Sequence, residues 1–225
     1  KLSKKFSMPQ NGNLLPKIMS MIIFFMDQNH KNKSLSDILD IKKLMNVDKA
    51  IETANGLPNQ CYTSEQYLEY ERDKIFCDKW TVIGIGSSIP NVGDAIPYNL
   101  LGIPLIIVRD KDLEIRIFHN VCSHRGFKLL DKPCNLKNVI RCPYHSWSYD
   151  FKGNLVATPH IGGLNIHNSD KFEKNQSNLK EVRSKIWMDI IFVNINANEI
   201  EFEDYIKPLE QRWSKFINHE DQKLL

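Results

Sequence analysis

Cys122-Ser-His124-Arg-Gly126 and Cys142-Pro-Tyr-His145-Ser-Trp147 form the stretch around which the chain is organised, with seventeen residues between His124 and Cys142. Each half supplies one sulfur and one nitrogen donor at very short spacing, from two loops able to face each other across a metal centre. Two Cys and two His also make a tetrahedral zinc set. Structural zinc modules, however, usually take a Cys pair from one loop and a His pair from a helix. Here both loops are mixed. That order suits a binuclear iron cluster in which the two Cys hold one iron and the two His hold the other. Thiolates neutralise the iron they bind, whereas neutral imidazoles leave theirs electron-poor. An incoming electron then settles on the His-bound iron, and the potential rises above that of an all-Cys cluster.

Around this stretch the composition is that of a soluble globular protein: 225 residues, 42% hydrophobic, net charge +3. The excess charge belongs to residues 1–60, which carry nine Lys against five acids; the other 165 carry 21 bases against 22 acids. The body therefore offers no basic stripe for nucleic acid. Cys61, Cys77 and Cys134 remain outside the motif, an odd set at irregular spacing that argues for a reducing compartment and against a disulfide scaffold. Cys134 lies between the two ligand loops but reads as an ordinary loop thiol, because four ligands are already supplied. The nine-residue apolar run Ile18 to Met26 is too short to cross a bilayer, and no small-residue cleavage site follows it. Residues 1–25 suggest no folded element, and Met21 and Met26 are candidate translation starts.

Helical spacing of Ile38, Leu39, Ile41, Leu44 and Met45 predicts a helix within Ser34 to Thr53, with Ser36 as cap and Gly56 and Pro58 ending the run. A second helix is expected over Thr63 to Asp78, capped near Ser64. From Trp80 the period changes. Strands are predicted at Trp80 to Ile85, Ala95 to Leu100, Pro104 to Arg109 and Leu113 to Asn120, the last with Leu113, Ile115 and Ile117 on one face. Asn138 to Arg141 enters the second ligand loop, Trp147 to Asp150 leaves it, and Leu155 to Thr158 follows a turn at Gly153. Lys185 to Asn196 reads as one strand too apolar for an edge. Short strands with regular turns indicate a small antiparallel architecture, mainly β with N-terminal helices (α+β). His160 and His167 share a Gly-rich loop; packed or solvated loop histidines explain them better than a metal pair. Gly84-Ile-Gly86 is no dinucleotide fingerprint, since no helix opens after it.

The paired motifs resemble the Rieske [2Fe–2S] box, and His124-Arg-Gly with Cys-Pro-Tyr-His145-x-Trp147 resembles the Rieske oxygenases, the ring-hydroxylating and amine-demethylating group. In the respiratory branch an extra Cys in each loop forms a disulfide; here those positions are Phe127 and Tyr144. That branch also places a Ser two residues after its second ligand His, where this chain has Trp147. Ser146 stands where Gly is commoner in the oxygenases. The resemblance implies Cys122, His124, Cys142 and His145 as the cofactor and metal ligands. It implies that Tyr144 and Trp147 shield the cluster, that Arg125 meets a carboxylate or backbone group, and that the imidazoles' outer nitrogens face solvent or a partner. The potential is then expected to fall as pH rises.

Residues Tyr62 to Trp80 are similar to the lead-in of oxygenase large subunits. Tyr205-Ile-Lys-Pro-Leu209-Glu resembles the point where the family's catalytic domain begins. On this resemblance residues 1–56 are an extension, 57–200 a Rieske domain with helical lead-in, and 201–225 the start of a truncated catalytic domain. The family's mononuclear Fe(II), held by two His and one carboxylate, has no matching set here, so no residue of the chain is assigned a catalytic role. The implied function is the electron-entry part of an oxygenase α-subunit, a Rieske-type oxidoreductase. It would be fed by a flavin/iron–sulfur reductase or a ferredoxin, with NAD(P)H as indirect reductant, and would work as a homotrimer. The expected products are hydroxylated or demethylated small molecules, the similarity being greatest to choline- and carnitine-type amine monooxygenases. The expected compartment is the cytoplasm, or an organelle stroma or matrix, with no membrane and no nucleic-acid partner. A stand-alone Rieske ferredoxin-type carrier is the alternative.

Overall fold

The computed structural model describes residues 34–167, 169, 172–197, 200–214 and 216. Expectations placed on residues 1–33, including the candidate starts, fall outside these. The chain enters through short helices: α1 (Leu35–Ile38), α2 (Ile41–Met45), α3 (Gln60–Thr63) and α4 (Glu65–Glu71), the last continuing into a π-helical turn, Arg72–Phe76. The single helix expected from Ser34 is two. Asp40 interrupts it because its carboxylate accepts the Lys42 and Lys43 N–H groups and so starts a second helix. Ser34, not Ser36, caps the first, pairing its own N–H with the Asp37 carboxylate. Ser64 caps α4 as expected, accepting the Tyr67 N–H at 3.3 Å.

Among the described residues ten strands follow: β1 (Thr81–Ile85), β2 (Asp94–Leu100), β3 (Ile103–Arg109), β4 (Ile115–His119), β5 (Cys134–Asn135), β6 (Ile140–Arg141), β7 (Ser148–Tyr149), β8 (Leu155–Ala157), β9 (Arg183–Trp187) and β10 (Ile190–Asn194). They form three antiparallel sheets, ordered β1-β10-β9, β4-β3-β2-β5 and β6-β7-β8. Helix α5 (Phe202–Trp213) closes the described chain. No helix among the described residues is long and apolar enough to cross a membrane.

Two packing layers explain why β3 is apolar throughout. Leu105 and Ile107 join Ile117, Ile83, Ile191 and Val193 between the first two sheets. Ile106 and Val108 point the other way, into a core shared with Phe118, Trp147, Tyr149 and both motif cysteines. A strand buried on both faces has no polar alternation to show. On the far side of the first sheet, α5 buries Phe202 and Ile206 against Trp80 and Phe192, and the Trp80 indole N–H donates to the Ile200 carbonyl at 3.0 Å.

The strand expected at Lys185 to Asn196 is a hairpin, β9 and β10, pairing Trp187 with Ile190. Its two-residue turn is Met188-Asp189, both at positive φ (49° and 65°). Such turns usually advertise themselves with Asn-Gly or Asp-Gly. Here external bonds hold the turn: the Asp189 carbonyl accepts the Gly86 N–H (2.7 Å) and its carboxylate accepts the Ser87 N–H (2.9 Å). Leu113 also leaves its predicted strand face. It sits at φ 65°, exposed, in the turn that the Asp110 carboxylate organises by accepting the Asp112 and Glu114 N–H groups. Cys134 lies on the edge strand β5, not in a loop, and all five cysteines are free thiols.

Candidate iron–sulfur cluster site

Strand β4 delivers the first motif loop, and β6 and β7 flank the second. Between them the two loops repeat one hydrogen-bond pattern. The Cys122 N–H donates to the Phe127 carbonyl (2.8 Å) and the Gly126 N–H to the Cys122 carbonyl (2.9 Å); likewise Cys142 N–H to Trp147 (2.8 Å) and Ser146 N–H to Cys142 (3.0 Å). In each loop the residue four after the Cys turns into the left-handed region, Gly126 at φ 69° and Ser146 at φ 59°. Gly126 serves no close packing within the protein. A Cβ there would meet no atom within 4 Å, so the requirement is the dihedral itself.

The same pattern applied twice sorts the donors. Cys122 and Cys142 are buried (1% and 2% exposed), while His124 is half-buried and His145 exposed. The two imidazoles meet at 4.9 Å between ring centroids. Burial pushes the Cys122 thiol up, with the Tyr149 hydroxyl pulling against it and Cys142 close enough to add to the rise. Burial, then the neighbouring His145 and Arg125, push His124 down, which favours the neutral ring a metal needs. Among the described residues no three or more His, Cys, Asp or Glu converge as ligands of one ion. The donors come instead as an inner sulfur pair and an outer nitrogen pair, a set that fits a two-iron cluster with one iron per pair.

Aromatic rings frame both imidazoles. Trp147, buried, stacks on His124 at 4.5 Å and 11° and meets Phe172 edge-on at 5.4 Å. Tyr144 lies 3.7 Å from His145 and 5.4 Å from Phe127. The positions that hold a disulfide in the respiratory branch are thus bridged by a ring pair. Tyr144 and Phe127 stay 55% and 43% exposed, so they flank the site and do not seal it. Arg125 is exposed and makes no ion pair among the described residues.

Two site residues escaped the sequence reading. Tyr149 is fully buried; its hydroxyl accepts the Ser123 N–H (3.1 Å) and stands 3.2 Å from the Cys122 sulfur, within hydrogen-bond reach. Asn120, also buried, receives the Leu129 and Leu130 N–H groups on its side-chain oxygen and donates to the Leu130 carbonyl at 2.7 Å, locking the chain that leaves the first loop. The available signals were a Tyr two residues beyond Trp147 and an Asn two before Cys122. Neither has meaning without the pairing of Ile140 with Tyr149 and Arg141 with Ser148 that turns Tyr149 inward. His160 and His167 lie together, ring centroids 5.0 Å apart, in an exposed loop and not among the ligands.

The Rieske [2Fe-2S] domain family matches residues 79–168. The chain is similar to the carnitine monooxygenase oxygenase subunit of Escherichia coli (strain K12), 31% identical over 153 residues, covering 68% of this chain and 40% of that one. It is similar to the chloroplastic choline monooxygenase of Arabidopsis thaliana, 27% identical over 164 residues, covering 73% and 37%. Among solved structures it is similar to the quaternary ammonium Rieske monooxygenase CntA in complex with gamma-butyrobetaine (TM-score 0.62, 31% identity, 71% of this chain and 44% of that one). It is also similar to naphthalene 1,2-dioxygenase from Rhodococcus sp. (TM-score 0.66, 25% identity, 79% and 39%). The chain spans about 40% of the length of these oxygenase subunits.

Proposed function

From a chain that belongs to the Rieske oxygenase α-subunit family and carries its Rieske domain, we propose that this protein is the electron-receiving part of an oxygenase. Cys122 and Cys142 hold one iron of a [2Fe–2S] cluster as thiolates, and His124 and His145 hold the other as neutral imidazoles. When bound, the cluster supplies one-electron storage at a potential above that of an all-Cys centre. The observation that carries the reading is the sorting of donors by matched loops, sulfurs buried and imidazoles turned outward. This chain's own residues then do three things. The loops hold the four donors, Tyr149 presents a proton to the Cys122 sulfur, and Trp147 keeps water from the buried face of His124.

The electron source proposed is a flavin/iron–sulfur reductase or a ferredoxin, with NAD(P)H as its reductant. The acceptor is a mononuclear non-haem iron on a catalytic domain outside this sequence, reached across subunits of a homotrimer. Residues 57–200 make up the Rieske unit, 1–56 an extension, and 201–225 the entry to that domain. The packing of α5 on Trp80 and Phe192 supports this division, since an ordered addition is stable where it has a face to bury. The substrate class proposed is a small organic molecule hydroxylated or demethylated with O2, a quaternary amine by analogy with the carnitine and choline enzymes.

The test is reconstitution of the purified chain with iron and sulfide, followed by metal and sulfide analysis and Mössbauer spectroscopy. Two irons and two sulfides per chain, with two inequivalent iron sites of which one alone changes on one-electron reduction, is the expected result. A colourless protein that takes up one zinc and no iron would overturn the proposal.

A further inference from the structure

The near-even charge of residues 61–225, 21 bases against 22 acids, hides a polarity. Residues 122–149, which run from the first motif through the second to the end of β7, carry five bases and one acid, a balance of +4. The rest of that span carries 16 bases against 21 acids, a balance of −5. Positive charge is thus concentrated on the segment that holds the four donors. Its single acid, Asp131, is already paired with Lys128 at 3.0 Å. All five cations, Arg125, Lys128, Lys132, Lys137 and Arg141, are exposed.

Core packing holds these cations close to the ligands. Lys128 precedes Leu129, and Arg141 lies between Ile140 and Cys142; Leu129, Ile140 and Cys142 belong to the core that contains both sulfurs. Lys137 follows Leu136, which packs against the same core. Arg125 is near enough to His124 to weaken that ring's hold on a proton. At the loop tips the exposed His145 stands 3.7 Å from Tyr144, which meets Phe127 at 5.4 Å, and both of these rings are about half exposed. Exposed aromatic rings with a charged rim have the anatomy of a protein interface.

We propose that this aromatic centre and its cationic rim are the docking surface for the electron donor, and that the donor is a small soluble one-electron carrier whose redox centre is surrounded by carboxylates. The surface serves the function proposed above, on which this reading rests. One electron passes and no bond is made or broken: the carrier is oxidised by one unit, and the iron held by His124 and His145 is reduced by one. A carrier must arrive, deliver and leave at every turnover, so its interface has to be small and fast rather than tight. Opposite charge suits that need, because it speeds encounter and fixes orientation more than it prolongs residence. A +4 segment set against a −5 remainder also turns an acidic carrier toward the imidazoles, and steers a basic one away.

The test uses the full chain loaded with its cluster and a labelled decaglutamate peptide as the acidic probe, followed by fluorescence anisotropy at about 20 mM and about 200 mM salt. Wild-type binding should weaken with salt. R125E/R141E should weaken it about tenfold at the lower salt, the loss of two exposed ion pairs. K207E/R212E makes an equal change of charge on α5, at the far side of the first sheet, and should alter binding by no more than about twofold. In stopped-flow oxidation of the reduced cluster, R125E/R141E should slow the anion hexacyanoferrate(III) and quicken the cation hexaammineruthenium(III), and K207E/R212E should do neither. If R125E/R141E loads less iron than wild type, R125Q/R141Q serves, with about a threefold loss of binding expected. Equal losses in the rim and α5 variants, or no salt-sensitive binding by wild type, overturn the docking surface and leave the loaded cluster, and so the function, in place. An oligothymidylate bound more tightly than the peptide assigns the surface to nucleic acid and overturns the proposal. Self-association of wild type that R125E/R141E abolishes assigns it to a second copy, with the same consequence. A chain that loads no cluster fails the function first, and the docking surface with it.

Discussion

The hydroxyl of Tyr149 stands 3.2 Å from the sulfur of Cys122 while accepting the N–H of Ser123 at 3.1 Å. One buried phenol thus ties the first motif loop to β7 and lies within hydrogen-bond reach of one of the two sulfurs. Burial pushes the Tyr149 hydroxyl well above its ordinary value, with the Cys122 sulfur adding to the rise, so it remains a donor throughout the usable pH range. A hydrogen bond to a thiolate gains strength as negative charge accumulates, and therefore favours the reduced state.

Tyr149→Phe should lower the one-electron potential of the reconstituted protein by roughly 40 mV, the equivalent of about 1 kcal/mol of differential hydrogen bonding. Film voltammetry measures it directly. An unchanged potential with an intact fold would show that the phenol only packs.

The ligand set predicts its own pattern of losses. Cys122→Ser, Cys142→Ser, His124→Ala and His145→Ala should each fail to retain iron and visible absorption after reconstitution, whereas Cys134→Ser, on the exposed edge strand β5, should retain both. Colour surviving in any of the first four variants would remove that residue from the set.

Ser146→Gly should stabilise the protein by about 1 kcal/mol, because the left-handed conformation at φ 59° costs a residue with a Cβ roughly that much. Gly126→Ala, the same position in the matched loop, should cost about as much. Chemical unfolding curves of the two variants should shift in opposite directions from wild type.

His119, three residues before Cys122, introduces an acid sensitivity. Burial, then the nearby Lys180, push its imidazole down from 6.5 to about 4. Between those two values the unfolded chain binds a proton that the folded chain refuses, so stability is full above pH 6.5 and falls as pH drops toward 4. His119→Gln should flatten that decline, by a difference on the order of 2 kcal/mol at the acid end. Urea midpoints measured across this range decide it; parallel declines in the two proteins would show that His119 is not the cause.

Much of the site was legible before any coordinates. Ligand identity depends on which side chains can bind iron and on short spacings along a chain, and both are local properties. Strands β2, β3 and β4 were legible for the same reason, since their short apolar runs are written in a few adjacent residues. The misread elements share a different cause. Asp40 looked like a polar position on a helix and is a cap; Met188-Asp189 looked like strand interior and is a turn held by Gly86 and Ser87 from a distant segment.

By itself, then, the sequence pointed to the proposed donor set, the antiparallel β class and the Rieske resemblance, because two Cys-His loops at this spacing admit few chemistries. Tertiary structure alone decided that the sulfurs lie inside and the imidazoles outside, that Tyr149 reaches Cys122 and Trp147 stacks on His124, and that His160 and His167 close one loop. Each of those is a relation between segments brought together by strand register and core packing. Register is a property of the paired sheet, and no single strand carries it.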